Sequence, residues 1–243
     1  MARSIQITVY AYLDASYSPT SGVSGVAGYV ADEANWSAVL ARWQDALLDW
    51  KLSTFHFAEL PQIKGHTNAK ICASSFENII KQSELDAISA SVFLEDWHRL
   101  DWGKDDSPRF CTHYEQALYF ALICLGEHCF ENFPEQDICV VCDADGSEGT
   151  IRSVFLAAQQ KFASLTDIQI GRSANYLALQ IADLGAGKIR LSWASILADE
   201  IPRYRGVKCP RDDFTAHRCG RFSRGGCYRA PSTFSGCRTR RSA

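Results

Sequence analysis

Hydrophobic and polar residues alternate from the outset: Ile5, Ile7, Val9, Ala11 and Leu13 are interleaved with Gln6, Thr8, Tyr10, Tyr12 and Asp14. A period of two is that of a strand buried on one face, and Asp14 closes it. Ser18-Pro19-Thr20-Ser21-Gly22 is turn chemistry, so residues 23–30 are expected to run back along the first strand as a hairpin. Asp32 is placed to cap a helix through about residue 50, with Trp36, Val39, Leu40, Trp43 and Leu47 at helical spacing.

Residues 55–60 read as a short extended or loop segment that sets His56 and Glu59 among aromatics. A helix is expected over 67–81, a strand over 87–94, a charged loop over 96–108 and a long apolar helix over 110–130. The run Asp137-Ile138-Cys139-Val140-Val141-Cys142-Asp143 is nearly all apolar, the mark of a strand covered on both faces. A turn then leads to a helix over 150–164, a strand over 167–171 and a final helix from about 174 to 193. This order predicts an α/β fold: a mixed sheet, antiparallel at its start and parallel at its end, flanked by helices.

The final helix carries an anomaly. At helical spacing Asp183 shares a face with Tyr176, Leu179, Gln180 and Gly187, where packing is expected, and a buried carboxylate without a partner is costly. Asp183 therefore needs a cation or a hydrogen-bond donor. The neighbouring Ala182, Gly185, Ala186 and Gly187 suit close approach to another element.

Charge divides the chain. From Arg203 onward there are 11 Lys/Arg against two acids, and the preceding residues hold 14 against 26. We therefore expect an α/β domain over 1–200 and a basic, Cys- and Arg-rich appendage over 201–243. The appendage has few aliphatics, and its Cys209, Cys219, Cys227 and Cys237 are spaced too widely for a zinc knuckle. It reads as disordered, as a nucleic-acid contact on charge grounds, or as the product of a shifted reading frame. Cys72, Cys111, Cys124, Cys129, Cys139 and Cys142 lie in apolar contexts as small hydrophobes, which fits a reduced, cytoplasmic setting. Cys139 and Cys142 have CxxC spacing on a strand, where they face opposite ways, so no metal or redox motif is expected. The opening residues lack an apolar signal core and no apolar run reaches membrane-spanning length, so neither secretion nor a membrane span is expected.

Three aspartates then stand out: Asp14 and Asp143 at strand ends and Asp183 on a packed helix. Their convergence would make a self-repelling cluster that Mg²⁺ or Mn²⁺ neutralises, a site suited to cleaving a phosphodiester. Against this, aspartate is common where strands stop, and Asp183 has Lys188 and Arg190 nearby as alternative partners. His56 suits general acid or base work, and Glu59 or Asp145 would be a fourth carboxylate; a lone histidine between phenylalanines is as readily a packed residue.

Tyr12-Leu13-Asp14-Ala15-Ser16, Val140-Val141-Cys142-Asp143 and Leu179-Gln180-Ile181-Ala182-Asp183-Leu184-Gly185-Ala186-Gly187 together resemble the domain of unknown function 3800 family, over about residues 5–193. The Gln-Ile-Ala-Asp-Leu helix is the most specific part. The resemblance implies a ribonuclease H-like fold with Asp14, Asp143 and Asp183 as metal-binding acids; the family has no settled activity, so action on RNA or DNA is expected from the fold and the acids alone. The family usually has Asp-Glu-Ser where this chain has Asp14-Ala15-Ser16, so an acid is missing. A metal-dependent nuclease is thus one expectation, and a catalytically silent module binding nucleic acid or protein is the other. A hydrolase of a smaller phosphorylated metabolite is a third.

Overall fold

A computed structural model describes residues 8–18, 22–94, 97, 110–144, 148–204 and 218–219, the side chains of 193–204 and 218–219 excepted. The expected hairpin forms from β1 (Thr8–Ser18) and β2 (Val23–Asp32), paired antiparallel from Val9–Asp32 to Ser18–Val23. Residues 5–7 of the predicted first strand lie outside the described residues. Asp14 does not close β1, as the alternation suggested: the strand continues to Ser18, because Ala15 to Ser18 keep pairing with β2. Gly28 makes that pairing possible, since a Cβ there would overlap the carbonyl oxygen of Tyr12.

Asp32 caps α1 (Glu33–Asp49) by accepting from Asn35 N at 2.8 Å. Trp36, Val39, Trp43 and Leu47 form its buried stripe, as their spacing predicts. Residues 55–60 end in a helix that the sequence reading missed, α2 (Leu60–Lys64), started by Pro61 in its first turn, where a missing N–H costs nothing. It leads into α3 (His66–Lys81) and β3 (Asp86–Phe93), antiparallel to β2. Of the predicted loop over 96–108, only Trp97 falls within the described residues, and it is buried.

Helix α4 (His113–Asn132) opens with a capping box, Thr112 and Glu115 exchanging bonds, and its apolar surface lies in the core. β4 (Asp137–Asp143) forms as predicted and runs parallel to β1. Helix α5 (Glu148–Gln159) stops short of the predicted residue 164: Lys161 and Phe162 turn back onto Ala158 O, freeing the chain for β5 (Leu165–Gly171). β5 runs parallel to β4.

Helix α6 (Leu177–Tyr204) begins later and ends later than expected. Residues 173–176 form a turn instead, with Asn175 N and Tyr176 N donating to Arg172 O. The helix also crosses the predicted domain boundary at 200. Beyond it, Arg218–Cys219 pair with Ser91 and Ala90 of β3 as a short β6; the tail's other residues lie outside the described ones.

The sheet order is β5-β4-β1-β2-β3-β6. The mixed sheet expected from the order of elements, antiparallel at its start and parallel at its end between helices, is therefore what forms. One face, with Val9, Ala11, Leu13, Val140 and Cys142, packs on α4 and α5. The other, with Tyr10, Tyr12 and Tyr29, meets α1, α3 and α6. The small residues of α6 sit where contact is closest: Gly185 lies under the ring of Tyr29 and Gly187 under that of Phe57.

Cys72, Cys129, Cys139 and Cys142 are free and buried. Two cysteines depart from expectation. Cys111 is exposed, and Cys124 is disulfide-bonded. Among the described residues no helix is long and apolar enough to cross a membrane.

Candidate functional site

Strand alternation decides where each acid points. Leu13 and Ala15 pack on the α4–α5 side and Cys142 is buried there too, so Asp14 and Asp143 lie on the opposite face, beneath α6. β1 and β4 are paired through Leu13–Cys142, which places the two aspartates one residue further along adjoining strands. Asp14 is 7% exposed and accepts from Ala15 N at 2.7 Å; Asp143 accepts from Ala144 N at 2.6 Å. Burial pushes the Cys142 thiol up to about 12, and the nearby charges of Asp14 and Asp143 add to the rise.

Asp183 reaches the same face from α6. Its Oδ2 accepts from Phe57 N at 2.6 Å and lies 3.3 Å from His56 Nδ1. Desolvation raises its pKa, the Phe57 N–H and His56 oppose the rise, Asp143 adds to it, and Arg190 opposes it. The partner role foreseen for Lys188 falls elsewhere, since that ammonium pairs with Glu77.

Gln180, one helical turn before Asp183, accepts from Phe55 N at 2.9 Å and from Trp43 Nε1 at 3.5 Å, and donates to Ser173 O at 3.1 Å. Two side chains of α6 thus hold the backbone N–H groups on either side of His56. This positioning role of Gln180 was missed in the sequence, although the shared helical face with Asp183 was visible. Gln180→Met is expected to strand the buried Phe55 N–H at a cost of roughly 1–3 kcal/mol, read as a lower unfolding midpoint.

His56 was weighed as a packed residue. Its side chain is instead 49% exposed, with Nδ1 on Asp183, so Nε2 is its remaining ring nitrogen. Glu59 is exposed at the N-cap of α2, where its carboxylate makes no capping bond. Asp145 lies outside the described residues.

The three aspartates share a face and two of them feel one another, but they do not close into a cage. Among the described residues no group of three or more His, Cys, Asp or Glu side chains is close enough to hold a metal ion. Each of the three carboxylates has an oxygen on a nearby backbone N–H. In donor type they still suit a hard divalent cation, because all are carboxylates and a positive charge would oppose the repulsion between Asp143 and Asp183.

Ala15 bears on the missing acid. Its side chain packs on the α4–α5 side, so a carboxylate at position 15 would point away from Asp14 and add nothing to this face.

No protein-family model matches the chain, the domain of unknown function 3800 included, and no curated protein matches it. Among solved structures it is similar to Bst-RNase HIII in complex with Mn²⁺, at 11% identity and a TM-score of 0.45. The match covers 79% of this chain and spans only 56% of that one.

Proposed function

We propose that the chain is a metal-dependent phosphodiester hydrolase acting on RNA or DNA, with Asp14, Asp143 and Asp183 as the acids that hold Mg²⁺ or Mn²⁺. The observation that supports this most is the placement of Asp14 and Asp143, on adjoining parallel strands, on the sheet face to which α6 brings the largely buried carboxylate of Asp183. A divalent ion bound there would supply charge against the developing phosphorane and lower the pKa of an attacking water.

In this reading Asp183 also orients His56. With Nδ1 facing the Asp183 carboxylate at 3.3 Å, the imidazole turns Nε2 to the exposed side of the site as its proton acceptor. Water adds to phosphorus, its proton passes to Nε2, the bond to the leaving oxygen breaks, and solvent protonates that oxygen.

Labelled single-stranded, duplex and hybrid substrates incubated with Mg²⁺ or Mn²⁺ test the reading. Cleavage of one of them is expected, reduced about a hundred-fold or more in Asp14→Asn and in Asp143→Asn, at or beyond the upper end for losing an outer metal partner. Failure to cut any substrate sinks it. The open arrangement of the three acids favours the silent binding module as a second reading. That module binds a strand without cutting it and is indifferent to Asp14→Asn.

A further inference from the structure

The face that carries the acids continues beyond them onto β4 and β5. Across the sheet the register sets Tyr10, Cys139 and Asp167 in one row, and Tyr12, Val141 and Gln169 in the next. Asp143 and Gly171 are paired in the row after that. Gly171 contributes no side chain, and the ring of Tyr176 occupies the space: a Cβ on Gly171 would come within 2.5 Å of the Tyr176 ring. Tyr176 thus lies on the strand position next to Asp143.

Tyr176 is held there from both sides in sequence. Its N–H donates to Arg172 O, and its own carbonyl accepts from Leu179 N at the start of α6. The ring remains partly exposed, and Arg172 and Asn175 beside it are exposed. Tyr12 is close by: burial, followed by Cys139, Tyr10 and Tyr176, raises its hydroxyl to about 12, and Trp36 meets its ring edge-on at 4.7 Å. A fixed, half-open aromatic ring flanked by an arginine suits a nucleobase and its phosphate, because stacking on a ring is tolerant of sequence while a guanidinium meets the backbone.

We propose that Tyr176 is a stacking platform for a base of a single-stranded nucleic acid, seated on Gly171 so that the adjoining phosphate falls toward Asp143. The inference rests on the nuclease reading for the identity of the site and deepens it by naming the strand that occupies it. Gly171 acts as a positioning residue, since any side chain there displaces the ring.

The test is equilibrium binding of the full chain to fluorescein-labelled single-stranded RNA and DNA, followed by anisotropy in EDTA so that no strand is cut. Tyr176→Ala should bind about ten-fold more weakly or worse, and Tyr176→Phe, which keeps the ring, should bind like the wild type. Gly171→Ala should weaken binding in the same direction. A strand carrying base-less spacers should bind the wild type as poorly as an intact strand binds Tyr176→Ala. Equal binding of Tyr176→Ala and wild type, or of base-less and intact strands, overturns the proposal. So does a Tyr176→Phe variant as weak as Tyr176→Ala, which would show a hydroxyl contact rather than stacking, and so does a wild type that binds neither strand. Binding that depends on Tyr176 without metal-dependent cleavage would remove the nuclease reading and leave the platform standing; cleavage insensitive to Tyr176→Ala would do the reverse.

Discussion

Asp183→Asn should lose cleavage by about a hundred-fold or more while the folded protein becomes no less stable at neutral pH. The amide can still accept from Phe57 N, so the loop that carries His56 keeps its anchor. What disappears is a charge that burial and Asp143 both disfavour. The sign follows from the raised pKa: stability from protonating Asp183 is complete below its ordinary value of 3.8 and is lost as pH rises through the higher native value. Wild type therefore falls behind the variant as pH rises across that window. Thermal unfolding of both proteins at pH 4 and pH 7 checks this, and the variant's relative midpoint should be higher at pH 7. A variant that is both inactive and clearly less stable at pH 7 would mark Asp183 as a structural residue.

Trp43→Ala is expected to cost about 3–5 kcal/mol of stability, the largest effect of any single truncation considered for the α1–α3 side. Trp43 is fully buried, with the rings of Phe55 at 5.2 Å and Phe76 at 4.5 Å. Its indole N–H also reaches Gln180 Oε1, the acceptor that fixes Phe55 N. Removing the ring opens a cavity directly beneath the His56 loop, so activity should fall further than the unfolded fraction alone explains. Urea unfolding measures the loss, and a cost under about 1 kcal/mol would show that the neighbouring rings collapse into the space.

Most of the sheet was legible because its strands carry strong local signals. The alternation in β1, the apolar run of β4 and the Asp32 cap of α1 each specify an element without help from the rest of the chain. Boundaries set by tertiary contact were not legible. β1 runs past Asp14 because β2 continues to pair with it, and α6 starts at Leu177 because residues 173–176 are tied into a turn on Arg172.

The site divides in the same way. The spacing of Gln180 and Asp183 showed two polar groups on one helical face, but not that both would grip the backbone around His56. Asp14 and Asp143 were found by residue type, and strand alternation places them on one side of the sheet. The distance between carboxylates is a matter of side-chain rotamers and donors in three dimensions, which no spacing encodes. For the same reason Ala15 looked like a missing ligand in the sequence, whereas its side chain belongs to the other face.

Calorimetric titration of the full chain with Mn²⁺ tests the central claim most directly. The account predicts a saturable site tighter than about millimolar, abolished by Asp14→Asn and by Asp143→Asn. Heats of simple dilution for the wild type, or a site that survives both substitutions, would contradict it.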